Sequence, residues 1–151
     1  MTLLADALIE KMTQDMTNEE ENMTLPEELN SIKISIVRNR KADGRHGCGN
    51  GYRVTLTNLE TGFKFSTTYN DSIVNSRKNP NPNDIIYSLL SDRSCYNSCR
   101  DYQDFCNEFG YDLYERTGQR AWQSCRFISE NLDLLLNSET LERLQEIYQD
   151  Y

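Results

Sequence analysis

Apolar and polar residues alternate along three stretches in the middle of the chain, then give way to helical spacing. Ile32, Ile34 and Ile36 are separated by Lys33 and Ser35, with Val37 following, a period of two that predicts a strand with one buried face. Tyr52, Val54 and Leu56 alternate with Arg53, Thr55 and Thr57. Turn residues occupy positions 58–62, and Phe63, Phe65 and Thr67 then resume the alternation, so these two runs predict a hairpin. Residues 38–51, with Gly44, Gly47, Gly49 and Gly51, connect the first strand to the second. The expected class is α+β: a three-stranded antiparallel meander followed by a helical half, with an N-terminal helix on an acidic linker.

The helical half opens after Asn79-Pro80-Asn81-Pro82-Asn83, where prolines break the sheet and an asparagine is placed to cap a helix. Ile85, Ile86, Leu89 and Leu90 form one apolar stripe over residues 83–92, and the polar stretch 91–100 separates it from a short helix near residues 101–109. Gly110 ends that helix as a left-handed cap. Asp112 is expected to cap a longer helix whose inward face reads Ala121, Trp122, Cys125, Ile128, Leu132 and Leu135 or Leu136. A last helix carries Leu141, Leu144, Ile147 and Tyr148.

Ahead of the strands, Leu3, Leu4, Ala7, Leu8 and Met12 recur at helical spacing behind Thr2, which predicts a short amphipathic helix ending near Asp15. Residues 17–30 hold Glu19-Glu20-Glu21 and Pro26 with few large apolar groups and read as a linker. The organisation expected is therefore residues 1–30 as helix and linker, and residues 31–151 as one α+β domain. The tethered helix either docks on a partner or packs on its own domain.

The 151 residues suit a single domain, and 37% hydrophobic with 26% charged residues marks a globular chain. No window approaches the roughly 20 apolar residues of a membrane span, and no basic start or cleavage site marks a secretory leader. The cytoplasm is the expected compartment. The net charge of −8 hides an alternation. Residues 1–30 carry eight acids against Lys11, residues 31–78 carry nine bases against Asp43, Glu60 and Asp71, and residues 79–151 carry thirteen acids against six bases. That pattern either holds the pieces together or presents faces for opposite partners.

Chemistry is sparse. The glycine loop with Arg38, Arg40, Lys41, Arg45 and His46 lacks the Gly-Lys-Ser/Thr ending of a phosphate loop and is expected to be a hairpin connection. Five cysteines without a secretion signal argue for reduced thiols. His46, Cys48, Cys95 and Cys99 have ligand chemistry for zinc, but their spacing matches no zinc motif, so no metal and no cofactor is assigned. A Cys106 nucleophile would need a base, and the sole histidine is His46. The chain is expected not to be an enzyme.

The segment Asp104-Phe105-Cys106-Asn107-Glu108-Phe109-Gly110-Tyr111-Asp112, followed by Arg116, Trp122 and Cys125, resembles a family of small accessory proteins of bacteriophages and prophages. The resemblance spans residues 52–136 and includes the hairpin and the helix before the motif. It implies a mobile-element setting and brings no catalytic residues with it. Gly118 departs from the family, where a helix-favouring residue is usual, at a cost of about 1 kcal/mol relative to alanine. Within the motif, Phe105, Phe109, Tyr111, Trp122, Cys106 and Cys125 are expected to fill one helix–helix core, with Arg116 pairing to Asp112 or Glu108.

Three functions follow. The first is an anti-CRISPR inhibitor whose acids (Asp15, Glu19, Glu20, Glu21, Glu27, Glu28, Asp101, Asp104, Glu108, Glu139 and Glu142) mimic nucleic acid in the basic channel of a Cas nuclease. The second is nucleic-acid binding through Arg38, Arg40, Lys41, Arg45 and Lys64, with Tyr52, Phe63 and Phe65 belonging to the core rather than to a stacking platform. The third is a virion or replication accessory, as a homodimer that exchanges N-terminal helices. No membrane partner is expected.

Overall fold

The computed structural model describes residues 24–39, 51–70 and 81–151. Three strands, β1 (Ile32–Asn39), β2 (Gly51–Asn58) and β3 (Lys64–Asn70), form one antiparallel sheet in the order β1-β2-β3. Four helices follow, α1 (Pro82–Asn97), α2 (Tyr102–Phe109), α3 (Arg116–Leu135) and α4 (Ser138–Ile147), so the fold is α+β, with the meander preceding the helical half.

Register fixes which side chains share a face. Ile34 lies opposite Leu56 and Ile36 opposite Val54, while Leu56 and Tyr52 face Phe65 and Tyr69 on β3. Tyr52, Val54, Leu56, Phe65 and Tyr69 are buried against Ile85, Ile86, Leu89 and Leu90 of α1, Ile128, Leu132 and Leu135 of α3, and Leu141 and Leu144 of α4. One sheet face is thus covered by helices. The hairpin closes through Asn58, whose carbonyl accepts from Gly62 N–H at 2.7 Å, with Gly62 at φ 80°.

The helix ends follow the caps that the sequence supplies, with corrections. Asn81 accepts from Asn83 N–H with Pro82 in the first turn, Asp101 accepts from Asp104 N–H, Asn137 accepts from Thr140 N–H, and Gly110 takes the left-handed cap at φ 75°. Asp112 does not cap α3. Its carboxylate accepts from Tyr114 N–H at 3.0 Å and shapes a turn, and the helix begins at Arg116 behind Glu115, which makes no side-chain cap bond. Helix α1 runs through the polar stretch to Asn97 instead of stopping near residue 92. Arg116 forms an ion pair with neither Asp112 nor Glu108, since the ion pairs among the described residues are Arg93–Asp133, Arg126–Glu130 and Arg143–Glu28.

The folded unit also begins before residue 31. A 3-10 turn at Glu27–Leu29 puts Leu29 in the core at 2% exposure, and Leu25 packs beside it. Residues 27–29 are therefore packed structure and not linker. The predicted helix over residues 2–15, Glu19–Glu21, and the loop with Arg40, Lys41, Arg45, His46 and Cys48 lie outside the described residues.

Candidate functional site

Two surfaces carry the candidate chemistry, on opposite sides of the sheet. Strand alternation points every second residue away from the helices. Register arranges these residues in three rows: Lys33, Thr57 and Lys64; Ser35, Thr55 and Ser66; Val37, Arg53 and Thr68. Lys33, Arg53 and Lys64 are exposed, and Thr55 and Ser66 share a hydroxyl bond of 2.8 Å across the strands. No carboxylate belongs to these rows. Three exposed cations among hydroxyls on the face turned away from the described helices form a surface suited to anions.

Of the basic residues singled out in the sequence, Lys64 sits in this face. Arg38 does not, because it lies opposite Tyr52 in the register and so belongs to the helix-facing side, exposed at the end of the sheet. Lys33 and Arg53 complete the face and were missing from the candidate set. The signal for them was present, since the alternation that buries Ile34 and Val54 turns both outward with Lys64.

The acids are divided among several tasks. Glu28 pairs with Arg143 at 3.1 Å, with its side chain mostly buried, and this ties the 3-10 turn to α4. Asp101 caps α2, and Asp104 accepts from Arg100 N–H at 3.1 Å. Glu27, Glu108, Glu139 and Glu142 are exposed. Glu139, Glu142 and Glu146 recur along α4 at helical spacing, so the turn with Glu27 and the acids of α4 lie on neighbouring elements, whereas Asp101, Asp104 and Glu108 belong to α2.

The aromatic residues of the motif are structural. Phe105 is buried, and its ring lies 4.9 Å from Phe109, 5.7 Å from Tyr111 in a stacked arrangement, and 5.2 Å from Trp122 edge-on. Phe109 is only half covered, at 40% exposure, and Cys125, one turn after Trp122 on α3, is buried close enough to Asp92 to feel its charge. Trp122 joins Phe105 to Tyr96 of α1, its ring 5.2 Å from the one and 4.7 Å from the other.

Around Cys125 the local field opposes thiol chemistry. Burial pushes the Cys125 thiol up to about 12, reinforced by the Asp92 carboxylate, and burial likewise raises Cys95. Asp92 is itself pushed up to about 6 by burial, although the Tyr69 hydroxyl donates to it at 3.3 Å and offsets part of that rise. Cys95, Cys99, Cys106 and Cys125 are free thiols. Among the described residues no group of three His, Cys, Asp or Glu side chains could hold a metal ion, and His46 and Cys48 fall outside them. No described helix is long and apolar enough to cross a membrane.

Compared with known proteins, the chain matches no family model, no curated protein and no solved structure.

Proposed function

We propose that the protein is a non-enzymatic inhibitor carried by a bacterial mobile element, which binds a nucleic-acid-handling defence machine of the host, a Cas effector in the form tested. The observation that supports this is charge layering. Among the described residues the outward rows of the sheet carry Lys33, Arg53 and Lys64 without an acid, while residues 81–151, which form the helical layer, carry thirteen acids against six bases. An acid-rich helical layer suits a channel that a nuclease lines with Lys and Arg for its own substrate. The resemblance of residues 104–112 to phage accessory proteins supports the setting.

A second reading is favoured by the sheet face itself. Three outward cations beside hydroxyl groups fit a phosphate backbone, with the protein then acting as a nucleic-acid-binding accessory factor. With Tyr52 and Phe65 buried, the described residues of that face offer no exposed ring for base stacking, so such binding is sequence-tolerant and electrostatic.

The discriminating experiment titrates the purified protein against purified Cas effectors with guide RNA, and separately against duplex DNA, single-stranded DNA and RNA, at about 50 and about 200 mM salt. Effector binding that weakens with salt and suppresses target cleavage is the expected result. Binding to naked nucleic acid with no effector binding moves the function to the second reading, and binding to neither removes both.

A further inference from the structure

Strand order leaves β1 and β3 outermost among the described residues, and the two edges differ in chemistry. The Ser31 carbonyl accepts from Leu59 N–H at 2.8 Å, which makes those residues a hydrogen-bonded pair in the β1–β2 register and fixes the alternation beyond them. Lys33, Ser35 and Val37 therefore bond β2, while Ile32, Ile34, Ile36 and Arg38 turn their N–H and C=O groups to the outer edge. On the far side Asn58 N–H donates to Phe63 O at 2.8 Å, and the same reasoning puts Lys64, Ser66 and Thr68 at the outer edge of β3.

Sheet edges are commonly blunted by proline, a bulge or charge. β1 has no proline, pairs with β2 residue for residue without a bulge, and carries Lys33 as its one charge before Arg38. Its apolar side chains are incompletely covered. Ile34 and Ile36 are half-buried at the margin of the core, and Val37 is 58% exposed. The polar residues along β3 are served by water, so β1 is the edge that gains from a neighbour. We propose that β1 pairs antiparallel with β1 of a second copy of this chain, about a two-fold axis at Ser35, and so continues the sheet through both copies.

A second copy is selected because the strand is self-complementary about Ser35. In that register Ile34 meets the partner's Ile36 and Ile32 meets the partner's Arg38 at the hydrogen-bonded positions, so every outward N–H and C=O of Ile32–Arg38 finds a mate. The isoleucines of both copies stay on the helix-covered side of the sheet. On the other side Lys33 meets the partner's Val37, and Ser35 meets the partner's Ser35. No cation faces a cation. A shift of one residue would set Lys33 against Arg38 and turn the isoleucines to the wrong face. A shift of two leaves one end of Ile32–Arg38 unpaired.

Sedimentation of the full-length protein, combined with cross-linking, tests this. The natural chain should pass from monomer to dimer below about 100 μM. Under mild oxidation Ser35→Cys should form a dimer linked from position 35 to position 35, because opposed residues at a non-hydrogen-bonded position have Cα atoms about 4.5 Å apart, within disulfide reach. Peptide mapping identifies the linked residue, and Ser66→Cys on β3 should not link to itself. Val37→Lys sets a second cation against Lys33 and should raise the dissociation constant at least about tenfold, and Val37→Lys combined with Lys33→Glu should bring it back. Both positions are exposed, and circular dichroism with the melting temperature of each variant checks that the α+β domain is intact. A chain that stays monomeric at about 100 μM, a dimer indifferent to Val37→Lys, or no link through position 35 overturns the proposal. A link through position 66 overturns it in favour of the β3 edge.

Discussion

Asn58 Nδ2 donates to the carbonyl of Leu135 at 2.8 Å, which links the β2–β3 hairpin to the last turn of α3 across 77 positions of sequence. The same side chain works in both directions. Its Oδ1 accepts from Glu60 N–H at 2.9 Å and from Thr61 N–H at 3.2 Å, so one carboxamide shapes the hairpin turn and satisfies a carbonyl that the helix end leaves without an internal partner. Asn58 is 8% exposed, so water replaces little of this. Asn58→Ala should lower unfolding stability by about 2–4 kcal/mol, from three lost hydrogen bonds, one of which leaves the Leu135 carbonyl without its buried partner. Asn58→Asp keeps the turn contacts but sets a carboxylate against a carbonyl, and should cost a similar amount at neutral pH and less in acid. Urea denaturation of the three proteins at two pH values measures both.

Gly118 reverses the expectation formed from helix propensity. A Cβ there would stand 2.9 Å from Tyr102 Oη and 3.0 Å from Tyr111 Cβ, in the first turns of α3 where the chain after α2 crosses closest. Propensity alone favours alanine by about 1 kcal/mol, and overpacking of this kind costs about 1–3 kcal/mol. Tyr102 is also held in place, donating to Leu113 O at 3.3 Å. Gly118→Ala should therefore be net destabilising by about 1–2 kcal/mol, and Tyr102→Phe should absorb part of that loss in a double-mutant cycle. A more stable Gly118→Ala would mean that the close approach does not constrain the helix.

Why these features escaped the sequence is physical. Period-two alternation and cap residues are local, so the three strands, a helix start capped by one of the asparagines of residues 79–83, and the Gly110 stop could all be read along the chain. The second half of α1 could not, because it is held by polar contacts across helices. Ser129 Oγ donates to Asn97 Oδ1 at 3.0 Å, and Arg93 pairs with Asp133 at 3.2 Å. Hydrophobic periodicity is blind to both. Leu29 and Leu25 are the two leucines of an acidic stretch with no periodic partner, and only the tertiary fold makes Leu29 core. For the candidate surface, the alternation already turned Lys33 and Arg53 outward, while Arg38 was misplaced because its charge outweighed its parity with Ile36.

Asp92 should make stability depend on pH in the direction opposite to a salt-bridged carboxylate. Burial lifts it to about 6, so the folded state holds its proton more tightly than the unfolded chain does. Between about pH 4 and pH 6 the folded protein binds more protons, stability from this group falls as pH rises through that window, and it levels off above. Asp92→Asn keeps an acceptor for the Tyr69 hydroxyl without the buried charge. The variant should gain about 1–3 kcal/mol at pH 7 relative to the natural protein and nothing at pH 4. Paired denaturation curves across that range would show the difference opening with pH, and a constant offset would remove Asp92 as its source.

Charge reversal on the two layers separates the two functional readings, because the residues involved are exposed and their replacement should change stability by no more than about 0.5 kcal/mol. Glu139→Lys with Glu142→Lys places two cations on the outer face of α4, and should weaken binding to a Cas effector by about tenfold or more at low salt through like-charge contact with its channel. Lys33→Glu with Lys64→Glu changes the row that flanks Thr57 and should leave effector binding within about twofold. The same sheet variant should abolish whatever affinity the protein has for naked nucleic acid and reduce its logarithmic salt slope by about 1.8, the amount expected for two lost phosphate contacts on duplex DNA. If effector binding falls with the sheet variant and survives the α4 variant, the contact lies on the cationic face, and an acidic mimic of nucleic acid is no longer the mechanism.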